Sequence, residues 1–138
     1  MSVLALATPD EIEAAWRRIG DAPRYTLVRG PEVGLVMVRA RAGGTGLRFN
    51  VGETPVTRCA AQLVGGPLGQ AWVRGRDLRH AERAAVFDAL LQDAGRRAAL
   101  EAAVIEPLAQ AREARRRAVT ARAAATRVDF FTMVRGED

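Results

Sequence analysis

The spacing of apolar residues changes twice along this 138-residue chain, and each change marks a boundary between kinds of structure. Early on, Ile12, Ala15, Trp16 and Ile19 recur every three or four positions, the period of a single buried helix stripe. Thr8-Pro9-Asp10-Glu11 stands just before them. It predicts an N-cap, a proline at the first helical position and acids at the positive end of the helix dipole. Gly20 should stop the helix after Ile19, with Trp16 as its core anchor.

Between Arg24 and Arg76 the period becomes two and glycine is frequent, which predicts strands near 25–30, 34–41, 47–51, 55–64 and 69–75. Gly30-Pro31-Glu32-Val33-Gly34 and Gly65-Gly66-Pro67-Leu68-Gly69 are short enough for hairpin loops, so neighbouring strands should be antiparallel. In the fourth strand Thr57, Cys59, Ala61 and Leu63 share one face while Arg58 and Gln62 take the other, the pattern of a half-buried sheet. Asp77 should cap a helix from Leu78 to about Ala94. Its apolar positions Leu78, Ala81, Ala85, Val86, Ala89, Leu90 and Leu91 form a face wide enough to cover that sheet.

The final segment, 96–127, has good helix propensity, and Pro107 should divide or kink it. Leu108 and Val119 are the large apolar anchors of its second half, so that half is expected to be solvated or to pack on a partner. The pattern as a whole predicts an α+β fold: a single domain with an antiparallel sheet of about four to five strands packed by helices. Residues 1–95 form the compact part and 96–138 a helical arm and tail. The tail holds Arg127, Phe130, Phe131, Met133, Val134 and Arg135, including two of the four phenylalanines. Burying one Phe is worth roughly 1.5–3 kcal/mol, so this segment should either fold back or dock on another protein, and docking is the reading adopted here.

Charge and cysteine content narrow the function. Cys59 is the single cysteine, so no internal disulfide can form, as suits a cytoplasmic protein. The apolar start breaks at Thr8-Pro9-Asp10 with no basic leader, and no apolar run approaches the roughly 18 residues of a membrane span. The expected protein is soluble, cytoplasmic and without membrane contact.

All 21 basic residues are arginine, and the net charge is +5. Arginine binds phosphate in a bidentate manner, but a composition so rich in Ala, Arg and Gly accounts for the preference without chemistry. Position says more: 96–127 holds eight arginines against three glutamates, and the rest of the chain carries thirteen charges of each sign.

Each candidate site has a plainer reading beside it. Gly43-Gly44-Thr45-Gly46 could cradle a phosphate, but it lacks the P-loop lysine and leads into a strand, so a glycine-rich turn is expected. In Arg74-Gly75-Arg76-Asp77-Leu78-Arg79-His80-Ala81-Glu82 a strand feeds a helix N-terminus. Arg74, Arg76, Arg79 and His80 are therefore candidate anion-binding residues, against the reading of an ordinary capped helix. His80 is the only histidine, and with Cys59 it is too little for a structural zinc, so no metal site is expected.

Cys59 on the inward face of a strand is expected to be a small buried thiol, and no carboxylate pair has an evident cleft, so no catalytic residue is assigned. The arginine run at Arg112, Arg115, Arg116 and Arg117 lacks stacking aromatics, which argues against nucleic acid. The competing class is a stand-alone basic module for nucleic acid or another phosphate-bearing ligand.

Several stretches together resemble one known family. They are Gly43-Gly44-Thr45-Gly46 with Arg48-Phe49, Val56-Thr57-Arg58 with Leu63, and Gly69 with Trp72-Val73-Arg74-Gly75-Arg76-Asp77. His80-Ala81-Glu82-Arg83, Asp88-Ala89-Leu90 and the tail from Arg127 to Gly136 complete the set. The chain resembles the PhnG subunits of the bacterial carbon-phosphorus lyase system over nearly its whole length; the arginine-rich arm matches in composition only.

The resemblance implies an accessory subunit working with PhnI-like, PhnH-like and PhnJ-like partners, and with PhnL for a transferase step. In that step methylphosphonate attacks C1′ of ATP, adenine leaves, and ribose 1-methylphosphonate 5-triphosphate forms. ATP and methylphosphonate are then substrates of the complex, and this subunit is expected to bind no cofactor and to have no activity alone. An isolated chain with an orphaned tail could self-associate as a homo-oligomer.

Overall fold

A computed structural model describes residues 1–21 and 23–126. The chain opens with a single helical turn, α1 (Ser2–Ala5), followed by α2 (Pro9–Arg18). Thr8 caps α2 in a full capping box, accepting from the Glu11 amide while the Glu11 carboxylate accepts from the Thr8 amide. Ile12 and Ala15 are buried, and Gly20 at φ +69° turns the chain out of the helix. Trp16 is half-buried, its ring edge-on to Phe87 at 5.7 Å between centroids.

Three antiparallel strands follow in the order β1-β2-β3: β1 (Tyr25–Arg41), β2 (Arg48–Leu63) and β3 (Leu68–Arg74). The α+β architecture with an antiparallel sheet is as the sequence predicts, but there are three strands rather than four or five. The breaks expected at Gly30–Gly34 and between residues 51 and 55 are absorbed inside long strands. Gly30-Pro31 falls at a register shift between Arg29 and Glu32, where β1 bulges instead of turning, and β1 is an edge strand that tolerates proline.

Pro55 interrupts nothing either. Its carbonyl accepts from the Gly75 amide at 2.8 Å, so its missing N–H lies on the same side, just past the end of the β2–β3 ladder. The expected hairpin at Gly65–Gly69 does form, with Gly65 at φ +67°. Gly43 and Gly44, both at positive φ, close the β1–β2 hairpin as a glycine-rich turn.

One sheet face is covered by α3 (Leu78–Leu91). From β2, Thr57, Cys59, Ala61 and Leu63 point into this layer, and from β3, Gly69, Ala71 and Val73 do. The helix meets them with Ala81, Ala85, Val86, Ala89 and Leu90, while Phe87 packs on Trp16 of α2. Leu78, expected to be covered on that face, is instead 46% exposed at the first turn, and Ala85 and Ala89 lie directly against Gly69 of β3.

The chain then continues through α4 (Ala94–Leu100), a π-helical turn (Glu101–Ile105) and α5 (Glu106–Ala125). The π turn lies just before Pro107, whose missing N–H and bulky ring are what a regular helix could not accommodate, so the proline is absorbed by a local widening. Val104 and Leu108 are buried, whereas every residue from Arg116 to Thr126 is exposed, Val119 at 70%.

Candidate functional site

The turn from β3 into α3 is held from three sides. The Thr57 hydroxyl donates to the Gly75 carbonyl at 2.8 Å, the Gly75 amide donates to Pro55, and the Asp77 carboxylate accepts from the His80 amide at 2.9 Å. Gly75 at φ +105° is a conformation only glycine takes without strain. This rigid turn holds Arg74, Arg76 and Arg79 on the surface, all exposed and none in an ion pair among the described residues.

His80 does not share that surface. Its ring is 3% exposed, with Nε2 at 2.7 Å from the Leu4 carbonyl, so it ties α3 to α1 inside the core. Of the four candidate anion-binding residues the structure thus groups three at the surface and places the fourth in the interior.

Beside Arg79 lies a cleft of about 250 Å³ lined by Trp16, Tyr25, Arg79, Glu82 and Arg83. Its polar groups are largely engaged with one another. Tyr25 Oη donates to Glu82 Oε1 at 2.6 Å, and Arg83 pairs with Glu13 while its guanidinium lies 5.6 Å from the Trp16 ring centroid. Burial pushes the Tyr25 phenol up to about 12, helped by its bond to Glu82, and burial lowers the Arg83 guanidinium. Sequence reasoning missed this cleft, because its walls come from residues 16, 25 and 79–83, which only the tertiary fold brings together.

The remaining candidates hold structure. Cys59 is 3% exposed, donates to the Arg29 carbonyl at 3.4 Å and has its thiol pushed up by burial, the opposite of an activated nucleophile. Asp88 accepts from the Gln70 amide at 3.0 Å, and Asp93 caps α4 through the Gly95 amide at 2.9 Å. In the arginine run, Arg115 pairs with Glu11, and Arg116 and Arg117 both pair with Glu113. Among the described residues no three His, Cys, Asp or Glu side chains gather as a metal site would require, and no helix is long and apolar enough to cross a membrane. Arg127, Phe130, Phe131, Met133, Val134 and Arg135 lie outside the described residues.

Cys59, Asp77, His80, Glu82, Asp88 and Asp93 are engaged in caps and ties of the fold, while Arg74, Arg76, Arg79 and a number of apolar side chains are left on the surface. Such a molecule is a small α+β protein built on a three-stranded antiparallel sheet. Comparison with known proteins agrees with the resemblance seen in the sequence. The family model described as phosphonate metabolism protein PhnG matches residues 1–136. A relative from Rhizobium meliloti (strain 1021), described as alpha-D-ribose 1-methylphosphonate 5-triphosphate synthase subunit PhnG, is 49% identical over 138 residues, covering 100% of this chain and 88% of the relative. The chain belongs to the PhnG family of phosphonate metabolism proteins.

Proposed function

We propose that this protein is an accessory subunit of a carbon-phosphorus lyase complex. It supports the step in which ATP and methylphosphonate give alpha-D-ribose 1-methylphosphonate 5-triphosphate with release of adenine. The observation that carries the reading is the 49% identity, across the whole chain, to a relative named as a subunit of that synthase. The fold is in keeping with it: Cys59 and His80 are buried and bonded to backbone carbonyls, and among the described residues many apolar and arginine side chains are exposed.

On this reading ATP and methylphosphonate are substrates of the complex, the partners are PhnI-like, PhnH-like and PhnJ-like subunits with PhnL, and the setting is the cytoplasm. Arg127, Phe130, Phe131, Met133, Val134 and Arg135 form a docking segment for the PhnI-like partner. Arg74, Arg76 and Arg79, held by the rigid turn, contribute positive charge to an anion path shared with that partner.

Co-expression with the partner subunits tests the reading. The full chain should co-purify with them, and a chain ending at Arg127 should fold but be lost from the complex. Salt-sensitive binding of nucleic acid by the isolated chain, with no association to those subunits, would favour the stand-alone basic module instead. For the anion path, Arg76→Ala with Arg79→Ala should lower turnover of the assembled complex at limiting ATP. Wild-type turnover under those conditions removes the role.

A further inference from the structure

The β1–β2 hairpin outruns the rest of the sheet. β3 pairs only with Val56–Gln62 of β2, so residues 35–41 and 48–55 stand as a two-stranded ribbon. Residues 33–39 and 48–53 are all exposed. The register assigns their faces. Val33 sits opposite buried Thr57, which places Val33, Leu35 and Met37 on the face that α3 covers further down. Val36, Val38 and Phe49 occupy the other face, in line with the exposed Trp72. A ribbon of two strands is marginal in water by itself, and one that is apolar on both faces needs cover on both.

Charge adds direction. At the ribbon's base Glu32 accepts from Arg29 at 2.8 Å and from Arg58 at 2.6 Å, so those charges are mutually satisfied. At the tip, Arg39, Arg41 and Arg48 fall on one face, with Arg41 directly opposite Arg48. Like charges facing each other across a ladder are destabilising. None of the three has an ion pair among the described residues, and Arg41 donates only to the Gly46 carbonyl, at 3.1 Å.

We propose that this ribbon inserts into a cleft of a partner subunit, one with apolar walls and with carboxylates at the end that receives Arg39, Arg41 and Arg48. The inference rests on the subunit reading above and specifies which part of the chain enters the partner. A second copy is disfavoured as occupant, because the ribbon carries three arginines against the single Glu53 and the chain as a whole is +5. Strand addition along β1 is disfavoured too: it could use only the stretch from Glu32 to Val38 between the register shifts, and it would leave the apolar side chains on both faces uncovered. Engagement is through side chains on both faces.

The test is amide hydrogen exchange on the full chain, free and assembled with co-expressed partner subunits. Exchange at 35–41 and 48–53 should slow at least tenfold on assembly. Leu35→Asp with Met37→Asp should weaken co-purification at least tenfold at unchanged far-UV dichroism. Arg39→Glu with Arg41→Glu should weaken it more at low salt than at high. A photo-crosslinking residue in place of Phe49 should capture an apolar peptide of a partner subunit. Unchanged exchange in an assembled complex, or a crosslink to a second copy or to residues 127–138, overturns the ribbon inference while leaving the subunit reading intact. Failure of the wild-type chain to assemble at all overturns both.

Discussion

Tyr25, the first residue of β1, and Glu82 of α3 are joined by a 2.6 Å hydrogen bond in which the phenol donates. The bond fixes the start of the edge strand to the helix that covers the sheet. Burial, then the bond and charge of Glu82, raise the phenol to about 12 from the ordinary value near 10. A raised folded value means that the protonated form stabilises the fold. That contribution is whole below about pH 10 and is lost as pH climbs through 12. Tyr25→Phe should cost roughly 1.5 kcal/mol at neutral pH, the range for a bond to a charged acceptor. Urea denaturation at a series of pH values should show the wild-type advantage shrinking from pH 10 upward.

The parts of this fold that could be read in advance are those whose signals are local. Thr8 and Asp77 announce α2 and α3 because a cap bonds an amide within three residues. Positions 57–63 announce a half-buried strand because alternation is intrinsic to the pleat. Gly30-Pro31, and the gap expected between residues 51 and 55, misled because what a proline or glycine does there depends on which neighbour each strand has. At a bulged edge, or beyond the end of a ladder, they cost no hydrogen bond. His80 misled in the same way: beside three arginines it reads as part of an anion site, yet its partner is a carbonyl 76 residues away. The cleft of Trp16, Tyr25 and Arg83 leaves no trace in spacing at all.

Close approach of β3 to α3 makes Gly69 the least replaceable glycine. A Cβ there would fall on the Ala85 carbonyl oxygen and the Ala89 amide nitrogen and lie 2.9 Å from Ala89 Cα. These are backbone atoms that cannot rotate away, so α3 itself would have to lift off the sheet. Gly69→Ala should destabilise by about 3 kcal/mol, whereas Gly52→Ala, in the open ribbon with nothing within 4 Å, should move the midpoint little. Chemical denaturation of the two variants side by side checks this.

His80 and Arg76 lie four residues apart and should behave oppositely. His80→Ala leaves a cavity and strands the Leu4 carbonyl, at a cost of about 2–3 kcal/mol. Arg76→Ala removes an exposed side chain without an ion pair among the described residues, and should stay within about 0.5 kcal/mol. Denaturant midpoints of the isolated chains separate the two. A matching loss in both would mean that Arg76 holds the fold rather than a surface function.

Glu11 couples the first long helix to the last. Its carboxylate accepts from the Thr8 amide at 2.8 Å and from Arg115 Nη1, while Arg115 Nη2 donates to the Leu6 carbonyl at 3.3 Å. Burial alone would raise its pKa. The bonds from Thr8 and Arg115 outweigh it and hold Glu11 below the usual carboxylate value of 4.5. A depressed folded value gives stability that is present above that ordinary value and is lost as pH falls through the lower one. Glu11→Gln should therefore weaken the protein at pH 7, with the difference from wild type closing in acid, and Thr8→Ala should cost about 1 kcal/mol. Because Arg115 is 40% exposed, the pair itself should show a coupling of under about 1 kcal/mol in a double-mutant cycle with Arg115→Ala. Arg115 is the last residue of α5 that is not fully exposed. The same substitution should therefore free α5 near its middle, seen as faster amide exchange from Arg112 onward with the sheet unchanged.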